Sequence, residues 1–394
     1  MAGTKGVGRM ARSRRTSRTS TKRTSKKRRR QSRTRGYGVI LVGGALIVAA
    51  YAYLHTHDGK LPDIGLSKPA GGSGTSSSTH GGSGTSGTTT VGGGATTSGA
   101  FVFATNTTSE PTIYRFLNSA HSSIDMTMYE LSDTTAVNDL IARKKAGVDV
   151  RVILDQKEKS TNQAAYTALT KAGIGVVWSS TAYAYTHQKT VTIDDRESLI
   201  LTGNLTTNYY ALTRDFGYFD TDHGDVAAVV AVFNADYAHK AVTPSDADDL
   251  LWSPTTAQDR VLAVINGAHK TLDVEAEEFN DPAVVNALAA KAKAGVAVRI
   301  VVESPSQYQS SISKVEAAGG KVVGYSSSTG LYVHAKIVVA DYGLSDQTVE
   351  LGSMNMTANS LDRNRELGIV LRDAPDINLI EHQVAADFAG GTKV

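Results

Sequence analysis

Two stretches of this 394-residue chain repeat each other at a fixed distance: AHSSIDMTMYELSD (residues 120–133) returns as AHKTLDVEAEEFND (268–281), and KAGVDVRVILD (145–155) returns as KAGVAVRIVVE (293–303), each 148 residues on. A unit written twice is expected to fold twice. Within each copy the spacing predicts an opening helix (111–119 and 257–267), a strand (123–129 and 271–275), a second helix ending at an Ala-Gly turn (136–145 and 283–293), and a β-branched strand (148–154 and 296–302). Helical and strand periodicity in alternation is the signature of an α/β fold.

Beyond these segments the copies agree on chemistry-bearing residues. HQKTVTIDDRESLILTGN (187–204) and HAKIVVADYGLSDQTVELGSMN (334–355) both open with His-x-Lys: His187 and Lys189, then His334 and Lys336. Each places an Asp five residues after the Lys (Asp194, Asp341) and a hydroxyl residue two positions before an Asn (Thr202 and Asn204; Ser353 and Asn355). Eleven residues after each Asn stands a carboxylate, Asp215 or Glu366, with an Arg before it (Arg214, Arg365) and a Gly two residues after it (Gly217, Gly368).

His-x-Lys is predicted to begin a hairpin, 190–193 with 198–201 in the first copy, and the second copy has a turn four residues longer. On a strand, positions i and i+2 share a face, so imidazole and ammonium project together. A nucleophilic imidazole beside a fixed cation suits attack on a phosphodiester without a metal. The Asn amides and the Thr202 and Ser353 hydroxyls are expected to add neutral donors to the phosphate. Asp194 and Asp341 stand an odd number of residues from their His and should face away from it, bracing the hairpin turn.

The pattern resembles the His-x-Lys-x4-Asp signature of the phospholipase D superfamily, whose single-chain members carry it twice, and the resemblance runs from about residue 101 to the C-terminus. It implies a duplicated α/β fold of two mixed sheets flanked by helices, related by a pseudo-twofold axis that joins both motifs in one active site. It further implies a phosphohistidine intermediate on one His, with the other acting as acid and base. By that likeness His187 is the nucleophile, His334 serves the leaving group, and Asp215 and Glu366 orient the imidazoles. No metal or cofactor is implied, and a monomer is expected because one chain holds both motifs. One departure from the pattern is Leu201 ahead of Thr202, where the second copy has Gly352 ahead of Ser353.

Charge and composition organise the remainder. Of 41 Lys and Arg, 15 fall in the first 35 residues with no acid among them, which leaves 26 against all 38 acids. The basic run directly precedes an uncharged apolar segment, YGVILVGGALIVAAYAYL (37–54). That order predicts a cytoplasmic tail (1–36) and a single membrane-spanning helix (37–54), with everything beyond it outside. The alternative is secretion after cleavage near Ala52, since Ala50-Tyr51-Ala52 has a small-x-small form. A Gly/Ser/Thr-rich linker (55–100) then leads to repeat 1 (101–246) and repeat 2 (247–394). There is no Cys, so disulfides and thiolate chemistry are excluded.

For the substrate, three features point to phospholipid. The catalytic part is tethered at a membrane, it is net acidic, and aromatic residues flank the first motif (Trp178, Tyr183, Tyr185, Tyr209, Tyr210). A nuclease of the same superfamily is the alternative, with nucleic acid as partner, and a catalytically idle surface-binding module is the third. A nuclease would be expected to present a basic groove, and here the basic residues lie on the far side of the anchor.

Overall fold

The computed structural model describes residues 99–103, 109–326 and 329–394. The basic tail, the apolar segment expected to span a membrane and nearly all of the linker lie outside the described residues. Among the described residues no helix is long and apolar enough to cross a membrane. Both repeats belong to one compact unit, Thr89–Val394.

The first repeat runs β1 (Gly99–Phe103), α1 (Glu110–Asn118), β2 (Ser123–Met128), α2 (Thr134–Lys145), β3 (Asp149–Leu154), α3 (Lys159–Lys171), β4 (Gly175–Trp178), β5 (Lys189–Ile193), β6 (Glu197–Leu201), α4 (Thr207–Tyr210), β7 (Thr213–Asp220) and α5 (His223–Tyr237). The second follows with β8 (Leu250–Ser253), α6 (Ala257–Gly267), β9 (Thr271–Ala276), α7 (Pro282–Lys293), β10 (Ala297–Glu303), α8 (Gln309–Ala317), β11 (Lys321–Tyr325), β12 (Tyr332–Val333), β13 (Lys336–Ala340), β14 (Thr348–Gly352), α9 (Ala358–Asp362), β15 (Glu366–Leu371), α10 (Ala374–Gly390) and β16 (Thr392–Lys393).

Each repeat builds a mixed sheet, ordered β1-β7-β6-β5-β2-β3-β4 in the first and β16-β11-β10-β9-β13-β14-β15-β8 in the second. The members β2-β3-β4 and β9-β10-β11 are parallel, and the His-x-Lys hairpins join them antiparallel through β5 against β2 and β13 against β9. Fold class and duplication are therefore as the repeated segments imply. Several elements had no counterpart in that sequence reading: α3 and α8, β4 and β11, the carboxylate strands β7 and β15, and the helices α5 and α10.

The strands β5, β6 and β13 are buried at every residue. Helices cover both faces of the sheets, so no polar face is needed. One core packs the first sheet under its outer helices, through Leu117, Leu140 and Leu169, and a second does the same for the second sheet, through Ile265, Leu288 and Ile312. A third core is shared, bringing Ile200 and Phe216 of the first sheet against Ile337 and Leu367 of the second, with Val229 of α5 and Ile380 of α10 between them.

Matching residues end matching helices. Asp133 caps α2 by accepting from Thr135 N (2.8 Å) and Ala136 N (3.2 Å), and Asp281 caps α7 by accepting from Ala283 N and Val284 N (2.9 Å each). Gly147 and Gly295 close the same helices at φ +94° and +93°, a conformation that side chains resist.

Candidate active site

Each histidine is positioned by the opposite repeat. β12 pairs with β7 of the first sheet, Val333 opposite Arg214, and the His334 amide donates to the Arg214 carbonyl at 3.1 Å. In the mirror arrangement Thr186 bridges to Arg365, and the His187 amide donates to the Arg365 carbonyl at 3.0 Å. The carboxylate one residue further along each receiving strand meets the incoming imidazole. His187 Nδ1 lies 2.8 Å from Glu366 Oε2, and His334 Nδ1 lies 2.8 Å from Asp215 Oδ1.

The arginines that precede the carboxylates lock the same crossing. Arg214 pairs with Asp387 of α10, its Nη2 donating at 2.9 Å, and Arg365 pairs with Asp236 of α5 at 2.9 Å. Both guanidinium groups are buried, at 5% and 1% exposure.

The carboxylates are themselves held. Asp215 accepts from the Thr202 and Thr213 hydroxyls, each at 2.7 Å. Glu366 Oε1 accepts from Asn364 Nδ2 at 2.8 Å and from the Ser360 hydroxyl. Burial pushes both carboxyls up, but the facing imidazoles and the neighbouring hydrogen bonds outweigh it and hold them below the usual carboxylate range. His187 Nδ1 faces two acceptors, Glu366 and the Ser353 carbonyl at 3.1 Å, so it carries the proton and Nε2 keeps its lone pair. Burial first, and the Lys189 charge second, lower the His187 imidazole below its ordinary 6.5.

The lysines lie behind their histidines. Lys189 Nζ donates to the His187 carbonyl at 2.6 Å, and Lys336 Nζ donates to the His334 carbonyl. Burial, with the Lys336 charge beside it, brings the Lys189 ammonium down from 10.5 to about 7. Two cations from different repeats thus adjoin one another in the same site.

Other residues singled out from sequence fall elsewhere. Asp194 and Asp341 both sit at φ +55° at the ends of β5 and β13, and instead of bracing the hairpin turn they hold the turns that enter the neighbouring strands β2 and β9. Asp194 accepts from the amides of His121, Ser122 and Ser123 at 2.7–3.0 Å, and Asp341 from those of His269, Lys270 and Thr271 at 2.6–3.1 Å. Partial burial raises both carboxyls, yet these amides outweigh it and lower them.

The expectation that the Thr202 and Ser353 hydroxyls bind phosphate is corrected. Both residues are fully buried at 0% exposure; Thr202 is spent on Asp215 and the Phe216 amide, and Ser353 on the Leu367 backbone. Asn204 Nδ2 donates to Glu130 at 3.3 Å, and the Oδ1 atoms of Asn204 and Asn355 are buried without a partner. At the Leu201 departure, the leucine side chain fills the space beside Gly217. In the second repeat Gly352 and Gly368 face each other so closely that a Cβ on Gly352 would stand 2.4 Å from the Gly368 Cα.

Of the five aromatic residues noted around the first motif, Tyr185 packs on Tyr129 and Tyr209 on Tyr332, the two tyrosines nearest the histidines. The others serve packing: Trp178 stacks on Tyr166, Tyr183 lies under Arg365, and Tyr210 donates to Asp133. Sequence reading also passed over Tyr129, Glu130, Glu277 and Glu278, all at the ends of the repeated 120–133 and 268–281 segments. Burial and Glu158 push Glu130 up to about 7; burial and Glu277 push Glu278 up to about 7. Aligning the two segments residue by residue was the signal that would have exposed them.

Comparison with known proteins agrees with this geometry. A family model described as "Cardiolipin synthase, PLD-like domain" matches residues 113–237 and again 261–389. Among solved structures, phosphatidylserine synthase from Haemophilus influenzae Rd KW20 superposes with a TM-score of 0.58 at 15% identity, covering 72% of this chain and 85% of that one. Polyphosphate kinase from Porphyromonas gingivalis superposes at 0.57 and 17% identity, covering 73% of this chain, which spans 50% of the kinase's length. At such identities the two structures speak to the fold. The family model, matched once by each repeat and each time across a His-x-Lys motif, makes this chain a member of the phospholipase D-like family with two copies of the domain.

Proposed function

We propose that this protein is a metal-independent phosphodiesterase that works through a phosphohistidine and takes phospholipid as substrate. The observation that carries the reading is the pair of crossed imidazole–carboxylate contacts at 2.8 Å, each with a lysine behind it. In the first half-reaction His187 Nε2 attacks phosphorus and the N–P bond forms as the P–O bond to the leaving alcohol breaks. His334 gives that alcohol its proton. In the second, His334 takes a proton from water or from an acceptor alcohol, whose oxygen attacks phosphorus while the N–P bond breaks. Lys189 and Lys336 supply positive charge to the non-bridging oxygens, the task a metal performs elsewhere.

The division of labour follows from contacts. His187 has a fixed Nδ1 proton and a free Nε2 lone pair, which suits a nucleophile. His334 faces Asp215 at Nδ1 and Glu277 at Nε2 (3.5 Å), and a ring with an acceptor at each nitrogen can hold a proton on both, which suits a general acid. Thr202, Thr213, Ser360 and Asn364 act as positioning residues through the two carboxylates.

Phospholipid is favoured over nucleic acid because carboxylates rather than a basic groove surround the lysines: Glu130, Glu277 and Glu278. The family description and the expected N-terminal anchor support the same choice, with the catalytic unit outside a membrane as a monomer. The test is full-length protein in detergent, offered mixed phospholipid vesicles and plasmid DNA side by side, with and without a short alcohol. Lipid turnover with transfer to the alcohol, abolished in His187→Ala and in His334→Ala, is the expected result. Plasmid cleavage without lipid turnover would replace phospholipid by nucleic acid, and full activity in His187→Ala would remove the site assignment.

A further inference from the structure

The two halves of the site are matched closely, and at one position beside the His-x-Lys strand they differ in charge. The 148-residue offset sets Tyr129 against Glu277. Both follow directly on the strand that pairs with the His-x-Lys strand, since Met128 pairs with Lys189 and Ala276 with Lys336. On the His187 side the Tyr129 ring stands edge-on to the imidazole, centroids 4.5 Å apart, with the Lys189 ammonium 4.9 Å from its centroid. On the His334 side a carboxylate takes that place. Glu277 Oε2 lies 2.8 Å from Lys336 Nζ and 3.5 Å from His334 Nε2, and Tyr332 donates its hydroxyl to Oε1.

This asymmetry assigns different ligands to the two halves. An anionic phosphate oxygen approaching Lys336 meets a cation already paired with a carboxylate. At Lys189 it meets an ammonium that packs on a ring face and donates to a carbonyl oxygen, with Glu366, Glu277 and Glu130 acting on it only from beyond ion-pair distance. The non-bridging oxygens therefore favour the Lys189 half. The ester oxygen that leaves must reach His334 Nε2, the atom that faces Glu277. The carboxylate side chain keeps 18% of its surface exposed beside a Lys336 that keeps 1%, so it is within reach of a group bonded to that oxygen.

An ionised carboxylate only accepts hydrogen bonds. A leaving group with an ammonium or hydroxyl near its ester oxygen satisfies it, a trimethylated ammonium brings charge without an N–H, and a further phosphate is repelled. Burial raises the Glu277 carboxyl, but the His334 and Lys336 charges outweigh it strongly, so Glu277 stays ionised over the working pH range. Building on the phospholipid reading above, we propose that Glu277 is a specificity-determining residue, selecting phosphodiesters whose leaving alcohol carries a hydrogen-bond donor, an amino or polyhydroxy headgroup, over quaternary-ammonium headgroups and polynucleotides.

The experiment compares phosphatidylethanolamine with phosphatidylcholine of identical acyl chains in mixed micelles, using full-length protein and reading kcat/KM for each. A charge-assisted hydrogen bond made to one headgroup and denied to the other corresponds to about tenfold or more. The wild type is expected to favour phosphatidylethanolamine by that factor. In Glu277→Gln, and in Glu277→Tyr, which installs the residue of the other half, the ratio should collapse to within about threefold of unity. A wild-type ratio near one, or a ratio retained in whichever variant folds, overturns the assignment of Glu277 alone. If neither lipid is cleaved while bis(p-nitrophenyl) phosphate is, the phospholipid reading falls first and takes this inference with it.

Discussion

Raising the pH should switch off substrate capture before it affects the chemistry, because of Lys189. Its ammonium is buried at 1% exposure beside Lys336 and titrates at about 7 instead of 10.5. That displacement corresponds to ~5 kcal/mol against holding the proton in the empty site. His187 must be neutral to attack, and burial together with Lys189 keeps its imidazole below 6.5. The free enzyme therefore has both groups in their working states only above the His187 titration, itself below 6.5, and below that of Lys189 near 7. Above pH 7 the charged fraction of Lys189 falls from about a half to about a tenth at pH 8 and about a hundredth at pH 9, and kcat/KM should fall in proportion.

Once a phosphodiester is bound, its anionic oxygens stabilise the Lys189 ammonium, so the alkaline limb of kcat should lie at higher pH than that of kcat/KM. The assay is steady-state hydrolysis of bis(p-nitrophenyl) phosphate between pH 5.5 and 9.5. This diester keeps one charge throughout, and its leaving group needs no proton, so His334 drops out of the kcat/KM profile, which reports formation of the phosphohistidine. In Lys189→Arg the guanidinium cannot titrate in this range, and the alkaline limb of kcat/KM should vanish from whatever activity remains. A wild-type kcat/KM that is flat from pH 7 to 9 would refute the account of Lys189.

Two predictions concern stability. Asp387→Ala removes the carboxylate that the buried Arg214 guanidinium pairs with across the repeats and should cost about 3–5 kcal/mol, seen as a lowered midpoint in urea titration; a loss under ~1 kcal/mol would show that the cross-repeat pair is dispensable. Glu350, 2% exposed, stands where the first repeat has Leu199, and burial raises its carboxyl to about 8. The unfolded chain loses that proton near 4.5 and the folded chain near 8, so stability falls as pH rises between the two. Glu350→Leu should therefore raise the thermal midpoint, by roughly 2–4 kcal/mol equivalent at pH 8 and by much less at pH 5; equal gains at both pH values would contradict the buried-carboxyl explanation.

Local rules were enough to read the repeated helices and strands, because Asp133 and Asp281, Gly147 and Gly295 act on their own helices within a few residues. The duplicated motif was equally legible, since His-x-Lys twice in one chain with matched acids is a pattern of residue identity and spacing. By parity along a strand, Asp194 and Asp341 were set apart from the histidines, and in the structure both accept from backbone amides at the turns entering β2 and β9. What spacing could not convey was which repeat serves which. The strand β12 leaves its own sheet for β7, so His334 meets Asp215 and His187 meets Glu366, and that crossing exists only once the two sheets pack on their shared core. The Thr202 and Ser353 hydroxyls were misread for the same reason: their place in the motif suggested the phosphate, while strands β7 and β15, brought alongside in the fold, took up their hydrogen-bonding capacity. Glu277 was visible in the sequence as one acid among 38. Its pairing with Lys336 and His334 is a matter of distance across folded strands, and distance is what tertiary structure decides.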